Sequence, residues 1–141
     1  MSSKTIHFFS EVTESACDEK ILRKILLKVA RDFRFKIEQI NIIFTNDTAL
    51  KKMKKQYFNE DRFTDVISFN LSENKTLLDG EIYISVDRAK SQAQEYSVCL
   101  NHEITRLVTH GMLHLCGIMD STDGEREKMR VLENHYLEKH F

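Results

Sequence analysis

The segment at residues 110–120, HGMLHLCGIMD, carries the side chains whose types and spacing could do chemistry. His110 and His114 are four positions apart, and on an α-helix side chains at this spacing project from the same face, where they can bind one ion. Gly117 suits a left-handed residue that ends the helix, and Asp120 follows where the chain can turn back toward the pair. Two histidines at this spacing also occur by chance, but the glycine and the acid favour a metal site. The predicted ligands are therefore His110, His114 and Asp120.

This ligand set describes a catalytic zinc site, because such sites use three protein ligands and leave a fourth position for water. Iron, nickel or manganese would also accept these donors. In helix-borne zinc proteases a glutamate directly after the first histidine is the general base, but this chain has Gly111 there. Peptide hydrolysis by that route is therefore disfavoured. Two nucleophiles stay open: a water whose pKa the metal lowers toward about 7, or the 2′-hydroxyl that an RNA substrate brings itself.

Hydrophobic periodicity predicts the elements that must position these residues. Strands are predicted at residues 5–12, 39–44, 65–72 and 79–86. Helices are predicted at residues 18–33, 46–57, 87–96 and 102–116, and a last helix follows. Ser15 and Asp18 resemble a capping pair before the first helix, and Thr122 and Glu125 form a capping box before the last. The order β-α-β-α-β-β-α-α-α indicates an α+β fold in which one domain, residues 1–141, has a mixed four-stranded sheet packed with about five helices.

Local patterns also predict how individual side chains are used. Tyr57 is expected to point inward from the second helix, and Asn101 is expected to cap the fourth. Glu103 and Arg106 lie near the His110 face of that helix. A solvated charge pair at the helix start is the favoured interpretation, with support of the metal ligand as the alternative.

Composition limits the class of protein. The net charge of −1 argues against an overall polyanion binder but leaves room for a local basic patch. The three cysteines, Cys17, Cys99 and Cys116, have no paired spacing, which predicts reduced thiols and a cytosolic protein. No signal peptide is expected, and no apolar run approaches the roughly 20 residues that span a membrane.

Three blocks of the sequence resemble the YbeY family of bacterial metal-dependent endoribonucleases that act in ribosomal RNA maturation. The first block, HGMLHLCG at residues 110–117, is similar to the family motif HGxLHLxGYDH. The second, FTDVISF at residues 63–69, resembles PTDVLSF, and the third, GEIYIS at residues 80–85, resembles a GDIxI strand. The resemblance is clear over residues 50–133.

The resemblance implies a zinc-dependent, single-strand-specific endoribonuclease for small-subunit rRNA 3′-end maturation and ribosome biogenesis. It implies one Zn²⁺ held by three protein ligands and water, in a cytoplasmic protein that contacts no membrane. The implied partners are rRNA precursors and the small ribosomal subunit with its assembly factors. The oligomeric state is left open, with a monomer favoured.

The sequence departs from the family pattern at the metal motif. Asp120 stands where the family usually has its third histidine ligand, and an oxygen donor changes the charge and affinity of the site. Ile118 and Met119 replace the family's tyrosine and aspartate. Some polar support around the metal is therefore expected to be lost.

A second departure concerns the arginine that the family carries six residues before the threonine of its TDV block. Counting back from Thr64 reaches Phe58, and the nearest arginine is Arg62. Arg62 is therefore the candidate catalytic arginine. Asp65, in the same block, is expected either to fix the loop or to touch substrate.

A basic stretch precedes this block. Lys51, Lys52, Lys54 and Lys55 are candidate RNA-binding residues, and a solvated helix face is the alternative. Two other functions stay open: an RNA- or ribosome-binding assembly factor whose metal is mainly structural, and a metal-dependent hydrolase of another substrate.

Overall fold

A computed structural model describes residues 5–13 and 17–141. The four strands are β1 (Ile6–Ser10), β2 (Lys36–Thr45), β3 (Val66–Asn70) and β4 (Leu77–Ser85). The five helices are α1 (Glu19–Asp32), α2 (Asp47–Phe58), α3 (Val86–Glu95), α4 (Leu100–Leu115) and α5 (Asp123–Leu137). The predicted α+β class and the predicted order of elements are confirmed.

The sheet is mixed, with strand order β1-β2-β4-β3. The strand pairs β1–β2 and β2–β4 are parallel, and β3 runs antiparallel to β4. The loop at residues 71–76 joins β3 to β4 as a hairpin. Because β3 lies at the edge of the sheet, the segment before it, residues 59–65, lies at the surface of the fold.

One face of the sheet carries the hydrophobic core. Alternation along the strands points Ile40 and Ile42 of β2, and Ile82 and Ile84 of β4, into this core, where all four are fully buried. Helix α4 packs across β3 and β4 on this face, with α1 against β2 and α5 against α4. The alternate positions of the same strands, such as Tyr83, are only partly buried. The core therefore forms between the sheet and α1, α4 and α5.

Side-chain caps explain where the helices begin. Asp18 is itself the N-cap of α1 and accepts hydrogen bonds from the backbone N–H groups of residues 20 and 21, and Asn46 caps α2 by accepting one from the N–H of residue 49. Ser15 lies outside the described residues. The predicted Asn101 cap is wrong: the Sγ atom of Cys99 accepts from the N–H of His102. Asn101 lies inside α4, and its Oδ1 accepts from the N–H of Asp18, 3.0 Å away.

Helix α2 buries less than its pattern predicts. Leu50 is fully buried, but Tyr57 is 60% exposed, so the predicted inward position of Tyr57 is wrong. In the last turn of α2 the Tyr57 ring packs edge-on against Phe69 of the edge strand at 5.3 Å, at the surface of the fold. Within residues 5–13 and 17–141, no helix has both the length and the apolar character needed to cross a bilayer.

Candidate metal centre

Helix α4 and the turn after it bring the three predicted ligands together. The His110 and His114 rings lie one helical turn apart, with centroids 4.5 Å from each other. Asp120 Oδ2 lies 3.3 Å from Nε2 of His110 and 3.4 Å from Nε2 of His114. One potential ligand atom from each residue lies within 4.8 Å of the other two, and each residue is partly exposed. These three side chains can hold one metal ion that solvent or substrate reaches.

The turn after α4 places Asp120 by reversing the chain. Gly117 has a φ of +91°, a left-handed conformation in which a side chain would be strained. Its N–H donates to the His114 carbonyl at 2.9 Å, and the Ile118 N–H donates to the Leu113 carbonyl at 3.0 Å. These two bonds form a Schellman motif. The backbone conformation, rather than space, requires glycine here, since a Cβ atom would have no neighbour within 4 Å.

The far side of this turn is also fixed. Thr122 and Glu125 form the predicted capping box at the start of α5, and Glu125 Oε1 also accepts from the Ser121 N–H at 3.1 Å. Arg126 donates to the Ser121 carbonyl at 3.1 Å and to the Asp120 carbonyl at 3.5 Å. The backbone on both sides of Asp120 is therefore fixed within a short turn.

Glu133, on α5, is a partner of His110 that the motif did not reveal. Its Oε2 lies 2.6 Å from His110 Nδ1, and the residue is only 3% exposed. When Nδ1 carries the proton and donates a hydrogen bond to Glu133, the lone pair of Nε2 is free to coordinate a metal ion. Burial alone would lower the pKa of His110, but the hydrogen bond and charge of Glu133, with the charges of Asp120 and Asp65, raise it above its ordinary value. The sequence did contain an indication that Glu133 is buried, because Glu133 lies in the apolar stripe of α5, four positions after the buried Met129.

Arg106 and Glu103 extend this hydrogen-bonded chain into the protein. Arg106 donates to Glu133 Oε1 at 3.0 Å and to both carboxylate oxygens of Glu103, which is 1% exposed. The prediction of a solvated charge pair is therefore wrong, because α5 and α3 cover this face of α4. Burial alone would lower the pKa of the Arg106 guanidinium, but the bonds and charges of Glu103 and Glu133 raise it.

The same network reaches the TDV block. Gln92, on α3, links Arg106 to Asp65. Its Oε1 accepts from the Arg106 guanidinium at 3.5 Å, and its Nε2 donates to Asp65 Oδ2 at 3.2 Å. The backbone carbonyl of Asp65 also accepts from the Ser85 N–H at 2.9 Å. These bonds support the loop-fixing interpretation of Asp65 and tie the start of β3 to the metal helix.

Gly111 lets α4 lie close to the sheet. A Cβ atom at this position would come within 2.7 Å of Ile82 Cγ2 and 2.9 Å of Ser68 Oγ. The Ser68 hydroxyl donates to the Gly111 carbonyl at 3.0 Å. A glutamate at this position would meet the sheet, so the fold excludes the protease-type base.

The candidate RNA-contacting lysines lie on α2, and two of them have acidic neighbours. Lys51 lies 3.9 Å from Asp61, and Lys54 lies 3.3 Å from Glu60. Lys52 and Lys55 are exposed, and no described residue forms an ion pair with either.

The predicted catalytic arginine lies at the surface. The Arg62 side chain is 59% exposed and pairs with Glu60 at 3.3 Å. Phe58, at the position of the family arginine, stacks on Phe69 at 5.8 Å. Phe69 alternates with Ser68, which faces α4, so Phe69 and Phe58 lie on the opposite face of the sheet from the metal helix.

A cavity of about 420 Å³ adjoins the donor group between α3, α4 and α5. His110, Asp120 and Glu133 form one end of it. The other lining residues are Tyr96, Val98, His102, Glu103, Arg106, Arg126, Met129, Arg130 and Asn134.

The fold and the donor group describe an α+β protein in which a two-histidine helix, a Schellman turn and an acid form one group that can hold a metal ion. The profile of the family described as Endoribonuclease YbeY matches residues 6–140, and the chain belongs to this family. The sequence resemblance is thereby confirmed.

Individual relatives agree with this assignment. An Endoribonuclease YbeY of Cytophaga hutchinsonii is 36% identical over 138 residues, covering 97% of this chain and 96% of the relative. One of Christiangramia forsetii is 35% identical, covering 97% and 95%. The solution structure of TM1509 from Thermotoga maritima superposes with a TM-score of 0.63 at 24% identity, covering 95% of this chain and 90% of that one, and confirms the fold.

Proposed function

We propose that this protein is a zinc-dependent, single-strand-specific endoribonuclease that matures the 3′ end of small-subunit rRNA in the cytoplasm. The main support for this proposal is that His110, His114 and Asp120 lie together in a chain of an endoribonuclease family. The proposed partners are rRNA precursors and the small ribosomal subunit with its assembly factors.

The spacing of the donor atoms is compatible with zinc. Two ligand atoms that each lie about 2.1 Å from a tetrahedral ion are about 3.4 Å apart. The separations of 3.3 Å and 3.4 Å between Asp120 Oδ2 and the two Nε2 atoms agree with this value. A bound zinc ion would supply a Lewis acid for the phosphoryl group and lower the pKa of a water molecule toward about 7.

The residues around the donors orient them rather than move the substrate proton. Glu133 holds His110 with Nε2 toward Asp120, and Arg106 compensates the charges of Glu133 and Glu103. Gly111 provides no base, which suits a substrate that carries its own nucleophile. The 2′-hydroxyl of RNA is such a nucleophile, and DNA and peptides lack it.

The α2 surface is proposed to guide the RNA strand through Lys51, Lys52, Lys54 and Lys55. The Lys51–Asp61 pair is exposed on both sides and weak enough to exchange for phosphate, whereas the Lys54 side chain is only 16% exposed and its pair with Glu60 is better shielded from solvent. The Lys51 ammonium also lies 4.5 Å from the ring centroid of Phe63, the residue that follows Arg62 in the chain. This contact places Lys51 close to the segment that carries Arg62. Arg62 is proposed to contact the backbone near the cleavage site after leaving Glu60.

Elemental analysis and RNA cleavage test the proposal. We expect one zinc per chain in the wild type and loss of zinc in Asp120→Ala, with loss of metal-dependent cleavage of single-stranded rRNA precursor in His114→Ala. Asp123→Ala is the matched control, because the Asp123 side chain is fully exposed on the same segment and should leave zinc unchanged. Unchanged zinc in Asp120→Ala would remove Asp120 from the ligand set.

A second candidate function is an RNA-binding assembly factor with a mainly structural metal. The stacked Phe58 in place of the family arginine, and Arg62 paired with Glu60, favour it. Under this function the zinc-loaded protein binds precursor RNA but does not cut it, whichever metal is supplied. His114→Ala then lowers thermal stability, and neither the variant nor the wild type cleaves RNA.

A further inference from the structure

The cavity beside the metal centre has the lining of a ligand site. Its volume of about 420 Å³ lies within the range of about 300–1,000 Å³ that is usual for small-molecule pockets. Val98 and Met129 form apolar wall, and Tyr96, which is 53% exposed, offers an aromatic ring at the α3–α4 turn. The cavity opens onto His110 and Asp120. A molecule bound there would therefore lie directly beside the metal donors.

The polar groups of this cavity suit a nucleotide. Arg126 and Arg130 project from α5 along the lining, and Arg130 is paired only with Glu127 among the described residues. This ion pair is well exposed on both sides, so it contributes little and can be replaced by a phosphate. The Asn134 side chain has no hydrogen-bond partner in residues 5–13 and 17–141, and an amide can both donate to and accept from a base edge.

We propose that the cavity binds one unpaired nucleotide of the RNA substrate, next to the phosphodiester at the metal centre. The base stacks on Tyr96 and meets Asn134, and Arg130 contacts an adjoining phosphate. This site rests on the proposed endoribonuclease function and adds a reason for single-strand specificity. A base held in a cavity cannot stay paired in a duplex, because pairing and stacking would have to be broken first.

The aromatic wall has a geometry that supports stacking. The Arg106 guanidinium carbon lies 5.8 Å from the Tyr96 ring centroid, so a half-buried cation that is paired with Glu103 and Glu133 lies against the ring. Tyr96 is 53% exposed, so part of its ring is open to a base. An ordered aromatic ring costs little further entropy when a base stacks on it.

Binding of adenosine 3′-monophosphate to the zinc-loaded protein tests the site without relying on cleavage. In ¹H–¹⁵N NMR spectra we expect shifts at Tyr96, Val98 and Asn134. Tyr96→Ala should weaken binding about 5- to 150-fold, the range that loss of one base–aromatic stack covers, and Tyr96→Phe should restore it. Phe9→Ala is the matched control, because Phe9 is 52% exposed on β1 and lines no part of the cavity.

The outcomes separate this site from the proposed function. Shifts confined to α2, or equal affinity in Tyr96→Ala and the wild type, would overturn the nucleotide site even if the protein cuts RNA. Shifts at the cavity with no RNA cleavage under any metal would uphold the site and overturn the nuclease. If the protein cuts RNA, Arg130→Ala should raise KM several-fold with little change in kcat, and an unchanged KM would count against the phosphate contact.

Discussion

At the scale of single residues, the candidate metal centre is backed by buried charges. Glu103 and Glu133 are almost fully buried, and Arg106 is the cation that bonds both of them. Asp120, which lies against His110 and His114, adds a third carboxylate to this group, and Arg106 is its one guanidinium, so the group carries excess negative charge. Buried charges are costly unless they are compensated. A divalent cation at His110, His114 and Asp120 would supply this compensation.

We predict that Glu133→Gln weakens zinc binding about 10- to 100-fold, the usual effect of removing a carboxylate behind a histidine ligand. The amide can still accept from His110 Nδ1, but it no longer adds negative charge behind the ring. Isothermal titration calorimetry with zinc would measure the change. Glu138→Gln, at the exposed end of the same helix, should bind zinc like the wild type, and equal affinity in both variants would refute the role of Glu133.

At the scale of elements, the position of α4 on the sheet decides whether the ligands meet. Gly111 allows the close contact with Ile82 and Ser68, and the hydrogen bond from Ser68 fixes its register. Helix α5 then packs on α4 and brings Glu133 to His110. Each of these contacts joins residues that are distant in the chain.

We predict that Gly111→Ala destabilises the protein by about 1–3 kcal/mol, as expected when a methyl group is forced into a packed core. The added Cβ would press on the sheet and shift α4, so zinc affinity should fall too. Gly124→Ala is the control, because nothing lies within 4 Å of a Cβ there. In urea unfolding, the free energy of unfolding of Gly124→Ala should equal or exceed that of the wild type. Equal free energies of unfolding for the two variants would contradict the close contact at Gly111.

The contact between α5 and α1 gives a pH-dependent prediction. The Tyr136 hydroxyl donates to Asp32 Oδ2 at 2.8 Å, and this bond, with the charges of Lys28 and Arg31, lowers the pKa of Asp32 despite partial desolvation. A lowered carboxyl pKa stabilises the fold above the unfolded value of about 3.9, and this stability is lost as the pH falls through the folded pKa.

Tyr136→Phe should therefore cost about 1 kcal/mol at neutral pH. Urea unfolding near neutral pH and again near pH 2 would measure the difference from the wild type, which should shrink in acid. A loss of equal size at both pH values would show that packing, rather than the charged hydrogen bond, is responsible.

At the scale of the whole molecule, the charges of both signs nearly cancel, with a net charge of −1. A protein of this kind relies on local clusters to attract RNA. On α2, Lys52 and Lys55 have no ion-pair partner among the described residues, whereas Lys51 and Lys54 face acids. The first pair should therefore contribute more to RNA binding than the second.

We predict that the double change Lys52→Ala and Lys55→Ala weakens binding of single-stranded RNA for all sequences alike. The slope of log K against log salt should decrease in magnitude by about 1.4, since each phosphate contact contributes about 0.7. Lys20→Ala with Lys24→Ala, two exposed lysines of α1, is the control. An unchanged slope in the α2 variant would assign these lysines to a solvated helix face.

The sequence alone determined the fold class, the order of elements and the three candidate ligands of the metal. These features follow from local rules: periodicity, capping residues, and the spacing of His110, His114, Gly117 and Asp120 on one helix and its turn. The Thr122 and Glu125 capping box was predictable for the same reason.

Only the tertiary structure decided which residues support the ligands. Glu133, Arg106, Gln92 and Asp65 lie on three helices and a strand entry, and their contacts depend on how α3 and α5 pack against α4. The wrong predictions for Tyr57 and the Glu103–Arg106 pair have the same cause. A helical pattern shows which residues share a face, but burial depends on whether another element covers that face, and that is settled by packing between distant parts of the chain.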